Sequence, residues 1–285
     1  MNHQKVSLPA GLYFVGVPIG TARDITLRAL DVLASADLLV AEDTRALRRL
    51  MDIHGVPLGS RRIIALHDHS HAGVRDDVIA RIAAGHSVAY SSEAGMPLIS
   101  DPGFELGRAA QEAGLMVTTV PGPSAVLSAL VMSGLPTDAF HFVGFVANAA
   151  SARRAALEAL REIPATLVFY ESPKRLAAFL SDAADCLGRE RLAAVCRELT
   201  KKFEEVKKNT LEELAKEYAE KPPKGEIVVV VDRGRSEKIT KSDLEGDLKA
   251  ALDDHSIRDA VDIVAKAHAL PRRKVYQLAL EMTKG

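Results

Sequence analysis

Tryptophan is absent from this 285-residue chain, cysteine occurs only twice, and aromatic residues make up 5%. Cys186 and Cys196 have no neighbouring Cys or His at ligand spacing, which excludes a disulfide framework and a structural zinc site as sources of stability. Two such cysteines suit a reducing compartment and read as core residues. Long apolar runs are missing as well. The longest purely aliphatic one, "IVVVV" from Ile227 to Val231, has the length of a strand and falls far short of a membrane span. The polar "MNHQKVSLPAG" start carries no signal-peptide pattern, so the sequence predicts a cytoplasmic protein with no membrane partner.

Charge of one sign is lacking too. A net charge of -1 gives no long-range field that would draw the whole molecule to nucleic acid, so any basic surface has to be local. Several motifs are also missing. No G-x-G-x-x-G follows the first apolar run and no G-x-x-x-x-G-K-[ST] occurs, which leaves dinucleotide and P-loop phosphate sites without support. Serine-hydrolase and zinc-protease chemistry lack their G-x-S-x-G and H-E-x-x-H.

What is present is a regular alternation. "LYFVGV", "DLLVAED", "RIIALHD", "HSVAYSSE" and "LMVTTV" read as strands, and each is followed by a segment with apolar residues at helical spacing. Strands that alternate with helices imply right-handed crossovers and a mostly parallel sheet covered on both faces. The second half reads differently: "FHFVGFV", "ATLVFYES", "LAAVCREL", "FEEVKKNT" and "GEIVVVVD" are separated by helices only in part, which favours a mixed sheet. The predicted fold class is therefore α/β, with two α/β domains at 1–120 and 121–235. A charged linker and a small helix-turn-helix-like tail follow at 236–285, the two tail helices flanking "ALPRR". With 47% hydrophobic residues the chain can bury a core in each domain.

In an open parallel sheet, ligands bind beyond the carboxyl ends of the strands. The first five strands end in "VPIG", "AEDTR", "LHDH", "SSEAG" and "VPGPSA". Taken singly, each is an ordinary strand stop and helix cap. Together they place Glu42, Asp43, His67, Asp68, His69, Glu93 and Asp101 on one rim, which capping does not require. These acids suit a ligand with hydroxyls, an amino group or an adenine edge better than a polyanion. "HDHSH" at 67–71 would share one face only if extended and has no completing ligand pattern, so no metal is expected. Basic residues cluster at Arg45, Arg48 and Arg49, at Arg153 and Arg154, at Lys174 and Arg175, at Lys201, Lys202, Lys207 and Lys208, and at Arg272 to Lys274. Local strips on a nearly neutral chain fit a structured RNA partner.

"PIGTARDITLRAL", "AEDTR", "GMPLISDPG", "PGPSAVLSAL", "VFYESPKRL", "RELTKKFEEV" and "KGEIVVVV" together resemble the small-subunit ribosomal RNA ribose methyltransferases of the tetrapyrrole methylase superfamily. The likeness runs from about Leu12 to Val231, and Ser256 to Met282 is similar to that family's C-terminal helical module. The resemblance implies two α/β domains around S-adenosyl-L-methionine, usually in a homodimer, and 2'-O-methylation of a cytidine in 16S rRNA of the small ribosomal subunit. It also implies cofactor contact by Pro18, Glu93, Gly95, Met96, Ser124, Ala125 and Tyr170, with Lys224 to Val228 nearby. Glu93 and Met96 stand where the family pattern usually has Asp and Thr.

Methyl transfer to a hydroxyl needs alignment and a proton acceptor. Glu42, Asp43 and Lys201 are the expected catalytic groups, with Arg45 and Arg175 gripping RNA phosphate. Two rival readings stand beside this one. A methylase of the same fold could act on a small molecule or protein side chain, or a ribosome-binding homologue could lack catalysis; the basic strips and the helical tail favour RNA over a small molecule.

Overall fold

Five parallel strands in the order β3-β2-β4-β1-β5 make the first sheet. They are β1 (Gly11–Val15), β2 (Leu38–Ala41), β3 (Ile63–Ala65), β4 (Ser87–Ser91) and β5 (Val117–Val120), and helices α1 (Leu27–Ser35), α2 (Thr44–Ile53), α3 (Ala72–Ala83) and α4 (Phe104–Glu112) connect them. This computed structural model describes residues 3–66, 72–234, 241–267 and 270–282, so the "HDHSH" stretch at 67–71 lies outside the described residues. Strand alternation partitions the core. Tyr13, Val15, Leu39 and Ala41 pack under α1 and α2, while Leu12, Phe14, Val40 and Tyr90 pack under α3 and α4. Thr26 caps α1 by accepting the Ala29 N–H at 3.1 Å.

Because every strand of this sheet is parallel, all five carboxyl ends share one edge, as the sequence pattern implied. The second sheet is mixed, with order β6-β7-β10-β8-β9. After α5 (Ala125–Ser133), strands β6 (Phe140–Gly144) and β7 (Thr166–Glu171) pair in parallel around α6 (Ala150–Leu160). Beyond α7 (Leu176–Leu187), strands β8 (Leu192–Arg197) and β9 (Glu205–Thr210), helix α8 (Leu211–Glu220) and strand β10 (Ile227–Val231) complete the sheet with antiparallel pairs. One face packs on α6, α7 and α8 through Leu167, Phe169, Val195 and Val229. The other packs on α5, where Val126, Ala129 and Leu130 meet Val168, Cys196 and Val228. Both cysteines are free and buried.

The chain divides into two compact units, Met1–Arg233 with both sheets and Gly234–Gly285. Within the second, α9 (Lys241–Asp254), α10 (Ile257–Ala267) and α11 (Arg272–Met282) share a core of Leu248, Val261, Val264, Val275 and Ala279. Here the structure corrects one expectation: residues 241–250, read as part of a charged linker, belong to helix α9. Leu244, Leu248, Ala251 and Leu252 recur at helical spacing and supply its apolar stripe, which the surrounding charges hid. Among the described residues no helix is long and apolar enough to cross a membrane.

Candidate active site

The loops that leave β4 and β5 turn toward the second sheet and enclose a cavity of about 450 Å³. Its first wall is the stretch 93–101, its second is Ser124 and Ala125 at the start of α5, and its third comes from the ends of β7 and β10, including Tyr170, Glu171 and Glu226. Volumes of this order accommodate drug-sized ligands and cofactors.

The loops are held by tight backbone geometry. Val17 and Gly95 exchange N–H···O bonds of 2.9 and 3.1 Å, tying the β1 loop to the β4 loop. Gly95 has φ +72°, in the left-handed region that glycine enters without cost. Met96 Sδ accepts the Gly122 N–H at 3.2 Å, joining the β4 and β5 loops. Among the described residues, four that are not glycine have positive φ: Leu98, Ser100, Glu198 and Thr200. They bracket Ile99 and Leu199, both of which line the cavity. Strained backbone of this kind persists where surrounding structure over-determines it, and it concentrates at ligand sites. The Thr21 N–H donates to Thr200 Oγ1 at 3.1 Å and Thr21 Oγ1 donates to the Thr200 carbonyl, fastening the two sheets' loops to each other.

The lining contains Glu93, Asp101, Glu171 and Glu226 and, among the described residues, no Lys, Arg or His. Asp101 carries the largest consequence. Burial, with the nearby charge of Glu42 and to a lesser degree Glu93, pushes its pKa up to about 6 despite a hydrogen bond from Ser92. Burial also raises the Glu171 carboxyl, against the Ser172 N–H and Arg175, and its Oε2 is buried without a hydrogen-bond partner. Tyr170, pushed up to about 12 by burial and then by Asp101 and Glu226, stays a neutral hydroxyl. Burial holds the Cys196 thiol at about 12, which removes it as a nucleophile. A cavity with four carboxyls, one of them an unspent acceptor, fits a cationic ligand with an amino group and disfavours a polyphosphate.

Of the residues expected to touch cofactor, Glu93, Gly95, Met96, Ser124, Ala125 and Tyr170 line this cavity together. Ser124 is at the same time the N-cap of α5, accepting the Leu127 N–H at 3.4 Å. Pro18 lies apart, lining a smaller neighbouring pocket with Arg49, Ser92 and Glu93.

The expected catalytic groups are placed otherwise. Glu42 is outside the cavity lining, and its Oε2 accepts the Glu93 N–H at 3.0 Å. Asp43 caps α2: its Oδ1 accepts the N–H groups of Arg45 and Ala46 at 2.7 and 3.1 Å, and these bonds hold its pKa below the usual range. That carboxylate is committed to the helix and is a weak base. Lys201 pairs with Glu198 at 3.2 Å and Glu226 at 3.0 Å; burial disfavours its charge, but the two glutamates outweigh burial and raise its pKa. Held protonated, its amine cannot accept a proton.

Arg175 also departs from expectation. Its guanidinium is mostly buried, 3.1 Å from Glu171 Oε1, and donates to the Val146 carbonyl, so it braces the cavity wall where a phosphate grip was anticipated. Arg153 and Arg154 are likewise spent on Asp182, and Arg154 also on Asp185. Arg45, by contrast, has a side chain 94% exposed and lies with Arg48 and Arg49 along the outer face of α2. Asp101 is the acid that the sequence placed on the rim, in "ISDPG", without marking it as catalytic: its raised pKa comes from burial and from Glu42 and Glu93 in three dimensions.

Comparison with known proteins gives the family. Residues 11–215 match the family model for Tetrapyrrole (Corrin/Porphyrin) Methylases, and residues 241–283 match that for the RsmI C-terminal HTH domain. A protein of Mesorhizobium japonicum named ribosomal RNA small subunit methyltransferase I is 44% identical over 96% of this chain and 93% of its own length. Proteins with that name from Xylella fastidiosa and Escherichia coli O157:H7 are 40% and 38% identical, covering 95% and 98% of this chain and 99% and 98% of theirs. Among solved structures, a diphthine synthase superposes with a TM-score of 0.60 at 18% identity, covering 78% of this chain and 89% of that one. A uroporphyrin-III-C-methyltransferase from Thermus thermophilus gives 0.55 at 22% identity, over 78% and 94%. The fold is common to all of these, and the near full-length likeness is to the first group: this chain belongs to the ribosomal RNA small subunit methyltransferase I family of the tetrapyrrole methylases.

Proposed function

We propose that this protein uses S-adenosyl-L-methionine to methylate the 2'-hydroxyl of a cytidine ribose in the decoding centre of 16S rRNA, acting on the small ribosomal subunit as a cytoplasmic homodimer. The observation that carries the reading is the cavity itself: carboxyls and, among the described residues, no basic side chain, at the carboxyl ends of parallel strands, in a chain whose near full-length relatives are named for ribosomal RNA methylation. Bound there, S-adenosyl-L-methionine supplies a methyl group on a cationic sulfur that leaves as a neutral thioether. Glu93, Asp101 and Glu171 would complement its positive charges, and the neutral Tyr170 hydroxyl is available as a donor.

The substrate hydroxyl must lose its proton as the O–C bond forms. Asp101 is the best-placed acceptor: it lines the cavity, and a pKa of about 6 leaves it ionised at neutral pH yet more basic than an ordinary carboxylate. Glu42 supports it by raising that pKa and by pinning the loop at Glu93. Arg45 and Arg49, on the exposed face of α2, would contact phosphate. A homodimer is supported by α5, whose inner face packs on the second sheet while Leu127 and Val131 on the outer face are 54% and 81% exposed.

Incubation with labelled S-adenosyl-L-methionine and 30S particles lacking the modification, followed by mapping of the label, tests the reading. Label on a single cytidine 2'-oxygen is expected. Label on a base, or none in the particle, would overturn it. Activity on a tetrapyrrole in place of RNA would favour the rival substrate class.

A further inference from the structure

At the lip of the cavity the chain makes an unusual investment in two exposed apolar side chains. Phe145 is 58% exposed and Ile99 is 44% exposed, and both line the cavity. Neither position results from slack backbone. The register between β6 and β7 shifts between Phe142 and Gly144, and Gly144 has φ +72°. A bulge of this kind re-aims the residue that follows it. Ile99 is presented by Leu98 and Ser100, at φ 74° and 62°, where L-residues are strained. The two devices touch, since a Cβ on Gly144 would lie 3.2 Å from Ser100 Oγ.

The ring itself is supported from behind. Phe145 meets Tyr170 edge to face with centroids 5.6 Å apart, and Tyr170 meets Phe142 in the same way at 5.1 Å. Edge support fixes the ring's plane and leaves a face free. Water against such a surface is unfavourable, so a strained loop and a bulge that hold apolar groups at a cavity mouth imply a ligand that covers them.

We propose that Phe145, with Ile99 beside it, is the stacking platform for the unstacked nucleobase of the nucleotide whose ribose enters the cavity. This rests on the RNA-methylation reading above. A ribose 2'-oxygen that reaches the cavity carries its base on the adjacent carbon, so the base comes to the cavity lip. Enzymes that act on a paired or stacked nucleotide extrude it and offer an aromatic surface in exchange. The adenine of the cofactor is the competing occupant, and the two are separable by experiment.

Three variants test the platform: Phe145→Ala, Ile99→Ala and Phe145→Trp. Phe145→Ala should lower kcat/KM for 30S particles roughly 10- to 100-fold, the range that removal of one stacked base produces, and Ile99→Ala should lower it by a smaller factor. S-adenosylhomocysteine affinity by calorimetry should stay within about two-fold, which also certifies the fold. Phe145→Trp keeps an aromatic face at the cavity lip, and because the natural chain has no Trp it creates a single fluorescent reporter. Quenching of that reporter by single-stranded oligocytidylate is expected. Quenching by S-adenosylhomocysteine, or failure of Phe145→Ala to bind it, would assign the ring to adenine and overturn the proposal. Unchanged kcat/KM in Phe145→Ala would overturn it as well. If the unsubstituted protein binds S-adenosylhomocysteine but neither methylates 30S particles nor, as Phe145→Trp, responds to oligocytidylate, the RNA reading fails and the platform fails with it.

Discussion

Gly16 and Gly122 meet backbone to backbone where β1 and β5 end. A Cβ on Gly16 would lie 2.7 Å from the Gly122 nitrogen and equally close to Met96 Sδ, and a Cβ on Gly122 would lie 2.8 Å from the Gly16 carbonyl carbon. This contact lets the two loops approach closely enough for the Gly122 N–H to reach Met96. No flexible side chain can yield on the backbone side of either residue.

Gly16→Ala and Gly122→Ala should therefore each destabilise the protein by about 1–3 kcal/mol, the usual cost of overpacking, and weaken S-adenosylhomocysteine binding more than they weaken folding. Gly246→Ala is the contrasting case. That glycine lies exposed inside α9 with nothing within 4 Å of its would-be Cβ, so the change should stabilise the C-terminal unit by roughly 0.5–1 kcal/mol. Urea unfolding and calorimetry on the three variants check both halves.

Asp101 makes the cavity pH-sensitive, and the sign follows from its raised pKa. Below about 4 it is protonated in folded and unfolded chains and costs nothing. As pH rises through about 6 the folded protein must ionise a half-buried carboxyl beside Glu42 and Glu93, and stability is lost. Asp101→Asn should gain stability relative to the parent across that window, by on the order of 1 kcal/mol once solvent screening is allowed for. Asp37, Asp43 and Glu198 have lowered pKa values and act in the opposite direction, but they cancel in the difference between the two proteins. The affinity for S-adenosyl-L-methionine should rise across the same window more than that for S-adenosylhomocysteine, which lacks the sulfonium charge. In turnover, kcat/KM of the parent should fall as pH drops through about 6, and Asp101→Asn should lose most of kcat with little change in affinity for S-adenosylhomocysteine, which lacks the sulfonium charge.

Much of this site was legible in the sequence, because one physical rule places it. Parallel strands put their carboxyl ends on one edge, so the Gly, Pro and acid clusters at 18–21, 91–101 and 121–124 converge whatever the details. What depended on tertiary contacts was not legible. "AEDTR" carries an acid at a helix start, where a cap and a base look alike until the N–H groups of Arg45 and Ala46 are seen on Asp43. Arg175 follows a strand by four residues and looked exposed, but Glu171 at the end of β7 draws it inward. Lys201 is basic in isolation and saturated in place, between Glu198 and Glu226. Asp101 acquires its character from residues about eight and sixty positions away.

The arginine strip on α2 gives a prediction about RNA that is independent of chemistry. Arg45 and Arg49 point outward, while Arg48 is partly engaged by Asp52 at 3.1 Å. Arg45→Ala with Arg49→Ala should weaken binding to 30S particles and reduce the slope of log affinity against log salt by roughly 1 to 2, one for each phosphate that is no longer neutralised. S-adenosylhomocysteine affinity should not change. An unaltered salt slope would show that RNA approaches by another face.

Helix α5 supplies the last test. It is apolar on both sides: Val126, Ala129 and Leu130 pack against the second sheet, and Leu127, Val131 and Met132 face outward with Val131 81% exposed. A helix with apolar residues all round is stable in water only when both sides are covered. A second copy of the chain covers the outer side in the homodimer proposed above, and a self-complementary patch is what two-fold symmetry requires. Val131→Glu places a carboxylate at the most exposed of these positions without touching the inner face. The parent should then run as a dimer and the variant as a monomer in light scattering, with the far-ultraviolet spectrum unchanged. Because Ser124 and Ala125 at the start of α5 line the cavity, removal of the partner should also weaken cofactor binding several-fold. A parent that is monomeric at micromolar concentration, or a variant that stays dimeric, would place the interface elsewhere and leave the outer face of α5 for the ribosomal substrate.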